Sequence, residues 1–290
     1  MRIGALEAGG TKMVCGVGNE FGQIECLEKF PTRTPETTMP QMISFFKEHK
    51  IEALGIGCFG PIDLHKESTT YGCITSSPKE AWRNYNILKE FSKELACPIG
   101  LDTDVNAACL GEMEYGAAKN CKNVIYITIG TGVGMGICAE GTLLHGVMHP
   151  EAGHMFVKRL PSDSFEGTCP FHKDCLEGLV SGGAIGARYG KKAYEIPVQD
   201  VAWTYTAHYI AEAIANLILT LEPERIILGG GVMEQEQLLF LIQKEVISLL
   251  HGYLGIKQLH KIEDYIVRPG CKGDQGVLGA LLLGRNELSK

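Results

Sequence analysis

Apolar residues along the chain gather in short runs that stop at glycine-rich turns. Four such runs are Arg2 to Leu6, Ala53 to Cys58, Val124 to Ile129 and Arg225 to Leu228. They lead into Glu7-Ala8-Gly9-Gly10, Gly60-Pro61, Gly130 and Gly229. Runs of this length with glycine at the exit predict buried strands. Between them, Pro40 to Lys50, Ile87 to Leu95, Val201 to Leu221 and Glu236 to Leu250 carry apolar residues near helical spacing and predict helices. A short strand-like run, Pro98 to Leu101, precedes a further helix containing Ala107, Ala108, Leu110 and Gly111. The alternation predicts an α/β architecture with helices packed on mixed sheets.

The pattern repeats. Residues 2 to 12 (RIGALEAGGTK) and 124 to 134 (VIYITIGTGVG) both read as strand, tight Gly/Thr turn, strand. A duplicated lobe follows, with its boundary near Tyr115 to Lys122: residues 1–117 form one α/β lobe and 118–290 the other. The last helix, about 275–287, is placed to fold back on the first lobe.

Composition changes this picture little. The 290 residues are 45% hydrophobic and 21% charged, as in ordinary globular proteins. The net charge of -7, without a basic run, argues against nucleic acid as partner. No apolar run approaches the ~18 residues that span a bilayer, and Met1-Arg2-Ile3-Gly4 enters a strand without leader features, so the expectation is a cytoplasmic protein without membrane partners. Eleven cysteines, an odd number scattered through a long chain, read as thiols; Cys58, Cys97 and Cys138 sit in apolar runs and are expected to be buried.

Candidate chemistry begins at the glycine turns. Gly9-Gly10-Thr11-Lys12 and Gly130-Thr131-Gly132-Val133-Gly134 combine backbone that can approach an anion with a threonine hydroxyl, and Lys12 adds charge. Neither is a P-loop, since GxxxxGK[ST] is absent and more strand follows each turn. A single Gly-Thr-Gly is equally a hairpin turn. Two in equivalent places, with Gly229-Gly230-Gly231-Val232-Met233 after a buried strand, point to a nucleotide.

Asp102-Thr103-Asp104-Val105-Asn106 lies where a strand gives way to a helix. Either aspartate there can cap the helix or serve as a general base for phosphoryl transfer to a hydroxyl. Glu151-Ala152-Gly153-His154 and Cys169-Pro170-Phe171-His172-Lys173-Asp174-Cys175 form an H-x14-C-x2-H-x2-C array. Four soft ligands predict a closed, structural Zn²⁺ site at His154, Cys169, His172 and Cys175. It would staple the loop of residues 157–167 and fix Glu151, His154 and Glu177, which can hydrogen-bond sugar hydroxyls. Trp82 and Tyr85 are candidates for a sugar cleft, a dimer face or ordinary packing.

Nearly the whole chain resembles the ROK family of bacterial sugar kinases, and within it the fructokinase branch. The carrying motifs are Glu7 to Lys12, Gly57 to Asp63, Thr70 to Lys79, Thr103 to Asn106, Ile129 to Gly134, Glu151 to His154, Cys169 to Cys175 and Gly229 to Met233. The resemblance implies a two-lobed, actin-like ATPase (ribonuclease H-like) fold with ATP, Mg²⁺ and sugar in the interlobe cleft, a bound Zn²⁺ and a homodimer. It makes Asp104 the base, and Gly60, Pro61, Thr103, Glu151, His154 and Glu177 sugar contacts. Gly9 to Lys12, Gly130, Thr131, Gly132, Gly183 and Gly229 to Met233 would meet the nucleotide.

The activity it implies is ATP-dependent conversion of D-fructose to D-fructose 6-phosphate. The alternatives are a glucokinase or mannokinase, or a sugar-sensing repressor of the same family. Two departures bear on these. Thr103 stands where the glucokinase branch usually has asparagine, and Ser181-Gly182-Gly183 stands where similar fructokinases tend to have Ser-Gly-Pro.

Overall fold

The computed structural model describes residues 1–289. In chain order the elements are β1 (Ile3–Ala8), β2 (Lys12–Gly18), β3 (Ile24–Pro31), α1 (Pro35–His49), β4 (Ala53–Cys58), α2 (Ile87–Glu94), β5 (Ile99–Thr103), α3 (Asp104–Glu114), β6 (Val124–Ile129), β7 (Val133–Ala139), β8 (Thr142–Leu143), α4 (Leu176–Val180), α5 (Gly182–Tyr189), α6 (Ala202–Leu221), β9 (Arg225–Gly229), α7 (Glu236–Leu250), α8 (Ile262–Tyr265), β10 (Ile266–Val267) and α9 (Gln275–Leu288). They make two five-stranded sheets, ordered β3-β2-β1-β4-β5 and β10-β9-β6-β7-β8. The chain divides into two compact units. One is Met1–Asn120 with Leu143–Pro150 and Gly270–Lys290; the other is Cys121–Thr142 with Glu151–Pro269.

In the first unit β1 pairs antiparallel with β2 and parallel with β4, and β4 parallel with β5. Alternation along β1 sends Leu6 and Ala8 into a core with Met42 and Phe46 of α1 and Phe91 of α2. Ile3 and Ala5 face the other way, onto Val277, Ala280 and Leu281 of α9. Helix α9 also packs along α3, and the crossing depends on Gly279. A Cβ there would lie 1.6 Å from the carbonyl oxygen of Ala107, so only glycine lets the two backbones meet. At the far end of α3 the fully buried Glu112 accepts amide hydrogens from Ala117 (2.7 Å), Gly270 (2.8 Å) and Cys271 (3.0 Å).

Helix α1 begins at Pro35, earlier than the expected Pro40, because Pro35 suits the start of a helix and Thr38 Oγ1 accepts from the Arg33 amide. Trp82 is 1% exposed, donates from Nε1 to the Arg33 carbonyl (2.6 Å) and packs edge-on against Phe59 and Tyr85. It belongs to the core of the first unit. The eleven cysteines are free thiols; Cys58 and Cys138 are buried, whereas Cys97 is half-buried because it ends the turn before β5.

The second unit is built on α6, whose Trp203, Tyr209, Ile210, Ile214, Leu217 and Ile218 bury against the inner faces of β6, β7 and β9 and against α7. Its loop of residues 157–167 has no regular structure, as its sequence predicts. Asp163 there pairs with buried Arg188 of α5 at 3.0 Å and accepts from Tyr209 Oη at 2.6 Å. Gly229 closes β9, and Gly230 and Gly231 lead into a 3₁₀ turn, Gly231–Glu234, and not a helix directly; α7 starts only at Glu236. Among the described residues, no helix is long and apolar enough to cross a membrane.

Candidate active site

In the first unit the parallel strands β1, β4 and β5 end in register at Ala8, Cys58 and Thr103. The turns that follow therefore collect along one sheet edge, the carboxyl edge at which α/β sheets receive ligands. After β1, the Gly9 amide donates to the Lys12 carbonyl (3.0 Å), and Thr32 Oγ1 donates to the Gly9 carbonyl (2.7 Å). Thr11 and Lys12 are left exposed at the tip. After β4 comes a cis Gly60-Pro61 bond, and the Pro61 carbonyl accepts from the amide (2.7 Å) and hydroxyl (3.1 Å) of Thr75.

The third turn carries the acids. Thr103 is the N-cap of α3, its Oγ1 accepting from the Asn106 amide at 3.1 Å, so neither aspartate is the cap. Buried Thr103 keeps its hydroxyl proton and a second lone pair for another partner. Asp104 is the first helical residue, half-buried, with Oδ1 accepting from the Val105 amide at 2.9 Å. Burial pushes its carboxyl up to about 6, against the lowering effect of the local backbone amides. Glu7, at the end of β1, is pushed up to about 7 by burial and by the charge of Asp104. Two interacting carboxyls titrate as a pair near neutrality, where a general base is most effective.

Asp102 has a supporting place. Its Oδ1 accepts from the Thr103 amide (2.8 Å) and Asn106 Nδ2 (2.7 Å), while Oδ2 meets His145 Nε2 at 2.9 Å. Sequence reasoning passed over His145 and also His149, whose Nε2 accepts from the Ile62 amide at 3.1 Å. No motif marks either residue. Glu7 lies within the first glycine-turn motif, and a carboxylate just ahead of such a turn is the signal that marks it.

In the second unit the glycine turns converge at the ends of parallel β6 and β9. The Gly130 carbonyl accepts from the Gly182 amide at 2.7 Å, which brings the start of α5, with Gly183, against the Gly130-Thr131-Gly132 turn. Gly230 adopts φ +90°, and a Cβ there would lie 2.4 Å from the Ile129 carbonyl oxygen, so both conformation and space require glycine. Val232 and Met233 are buried, leaving backbone as what this turn can offer a nucleotide. Glu177 Oε2 accepts from the Val133 amide at 2.9 Å and so ties α4 to the second strand of the hairpin.

The expected metal ligands come together. Nδ1 of His154 lies 3.6 Å from both Cys169 Sγ and Cys175 Sγ, and His172 Nδ1 lies 3.8 Å from Cys169 Sγ. All four ligand atoms fall within 4.8 Å of one another. A tetrahedral zinc with ordinary Zn–S and Zn–N bonds has S···N edges of about 3.6 Å, so the residues fit the ion. Without one, burial pushes the Cys175 thiol up to about 11, and the neighbouring Cys169 adds to this. Glu151 is exposed and sits one turn before His154, its carbonyl accepting from the His154 amide at 3.0 Å.

Two α/β units, each with a glycine turn between its first two strands, define the actin-like ATPase fold. A hexokinase structure from Thermus thermophilus shares that fold at a TM-score of 0.80, 24% identity, and coverage of 100% of this chain and 99% of the other. The chain belongs to the ROK family, whose model matches residues 3–287. A fructokinase from Pediococcus pentosaceus is 43% identical over 288 residues, 99% of each chain. A glucokinase from Halalkalibacterium halodurans is 29% identical over 267 residues, 78% of this chain and 79% of its own.

Proposed function

We propose that this chain is a fructokinase that transfers the γ-phosphoryl group of ATP to the 6-hydroxyl of D-fructose, with Asp104 as base. The observation that carries the reading is Asp104 itself: a carboxylate raised to about 6 at the start of α3, on the same sheet edge as the Gly9 and Gly60 turns. In the proposed step the sugar oxygen bonds to the γ-phosphorus, the bond from that phosphorus to the β,γ-bridging oxygen breaks, and ADP leaves. The hydroxyl proton passes to Asp104.

Backbone amides around Gly9–Thr11 and Gly130–Gly132, the Thr11 and Thr131 hydroxyls, Lys12 and the turn of residues 229–233 are assigned to the nucleotide. Gly60, Pro61, Thr103, Glu151, His154 and Glu177 are assigned to the sugar. Mg²⁺ would supply charge neutralisation on the phosphates. Zn²⁺ at His154, Cys169, His172 and Cys175 would order the segment from Glu151 to Glu177, and His154 would keep Nε2 for substrate. A cytoplasmic homodimer completes the proposal.

The greater identity to the fructokinase than to the glucokinase supports fructose over glucose, as does Thr103. The test is ADP release, coupled to NADH oxidation, with MgATP and fructose, mannose or glucose. The expected order places the kcat/KM for fructose first. Turnover of glucose well above fructose would move the chain to the glucokinase reading, and no turnover of any hexose would refute the substrate class.

A further inference from the structure

The segment Leu143–Pro150 belongs to the first unit, although it begins at the last residue of β8. Two histidines attach it there. His149, 7% exposed, accepts from the amide of Ile62, the residue after Pro61. His145 reaches Asp102 Oδ2 at 2.9 Å, with its own side chain 40% exposed and that of Asp102 at 7%. Asp102 is thus a buried carboxylate with one oxygen held by the first turn of α3 and the other held, among the described residues, by His145.

Such a carboxylate needs a cation or further donors, since an unpartnered buried charge is strongly unfavourable. His145 meets that need. Asp102 draws it toward the protonated form, burial opposes this, and the Leu143 carbonyl accepts from it as well. The imidazolium therefore has two acceptors for its ring hydrogens. The titratable groups facing it are Asp102 from β5 and His149 on its own segment, the latter held toward neutrality by burial. Left uncompensated, Asp102 would place a full negative charge two residues from Asp104, making it a poorer proton donor to solvent and repelling an incoming phosphoryl group.

We propose that His145 is a positioning residue for the base: as an imidazolium it fixes Asp102, which through the Thr103 amide and Asn106 Nδ2 fixes the turn that presents Asp104. The inference rests on the kinase reading for its kinetic consequence but not for the ion pair. A rate profile of the wild type then has two limbs. Activity rises with pH as Asp104 ionises and falls at higher pH as His145 loses its proton.

The experiment compares wild type, His145→Gln and His145→Ala at saturating MgATP between pH 5 and 9. Glutamine can still donate to Asp102 but carries no charge. It is expected to lower kcat about tenfold with little change in the fructose KM, and alanine about 100-fold, the scale of a small displacement of a reacting group. Both variants lose the alkaline limb. A residue that merely supported the fold would lower rates without removing that limb, so its persistence in His145→Gln overturns the proposal, as does an unchanged kcat in both variants. Histidine NMR of the sugar-free protein separates this from the kinase reading. His145 titrating above free histidine, and moving down in Asp102→Asn, supports the proposal even if fructose is not turned over; titration at or below the free value overturns it even if fructose is.

Discussion

Replacing Asp104 with asparagine removes the proposed base while keeping the volume of the side chain. The same carboxyl then governs two quantities with opposite signs. In the wild type it is pushed from its ordinary 3.8 up to about 6, chiefly by burial. At pH 5 about a tenth of it is ionised, where a carboxyl at its ordinary value would be more than about nine-tenths ionised. On the acid limb the fructose kcat is therefore expected to fall about tenfold from its value with Asp104 fully ionised to its value at pH 5, with the limb broadened by Glu7. Asp104→Asn loses about 10² to 10⁴ in kcat where the wild-type carboxylate is ionised, and the gap narrows toward pH 5.

Stability runs the other way. Because the folded chain holds this proton more tightly than the unfolded chain, folding takes up protons between about pH 4 and 7, and stability falls as pH rises through that window. The shift corresponds to about 3 kcal/mol in full, and to about 1 to 2 kcal/mol once the partial exposure of Asp104 is allowed for. Asp104→Asn should thus melt higher than wild type at pH 8, with the difference vanishing below about pH 4. Coupled rates and thermal melts across pH measure both. A kcat profile with no acid limb down to pH 5, normal turnover in the variant, or a variant less stable than wild type at pH 8 would each refute the reasoning.

Metal analysis of wild type should find one zinc per chain. Cys175→Ser should lose it, with a lower melting temperature and earlier proteolysis near residues 157–175, and a full zinc complement in the variant would contradict the cluster. Glu112→Gln keeps one carbonyl oxygen for Ala117 and Gly270 but turns an amide donor toward the Cys271 amide. The loss is expected at about 2 to 4 kcal/mol by urea unfolding, and a shift under about 0.5 kcal/mol would show that solvent serves those amides equally well.

What the sequence revealed follows from how local each signal is. Strands that end in glycine, the α6 and α7 helices and the Cys/His array all lie within short windows, and the structure has them close to where they were expected. The edge strand β3 was passed over because Glu25, Glu28 and Lys29 interrupt its apolar residues, as suits a strand with one open side. Trp82 was undecidable because its burial depends on Phe59 and Arg33, far away in the chain. Among the site residues, Asp104 stood out through its motif, whereas His145 could not. Its partner lies 43 residues away, and nothing beside it announces that a surface histidine answers a buried carboxylate.

The placement of α9 has a consequence for biosynthesis. Ile3, Ala5 and Val14 are laid down early in translation, but the face they form is closed by Val277, Ala280 and Leu281. The core residues of the second unit, the last of them Ile266, all precede α9 in the chain, so the first unit is the later of the two to receive its last core residues. Vectorial folding is therefore inverted here: the lobe made first is finished last, and the nascent chain presents an uncovered apolar sheet to chaperones until its closing helix emerges.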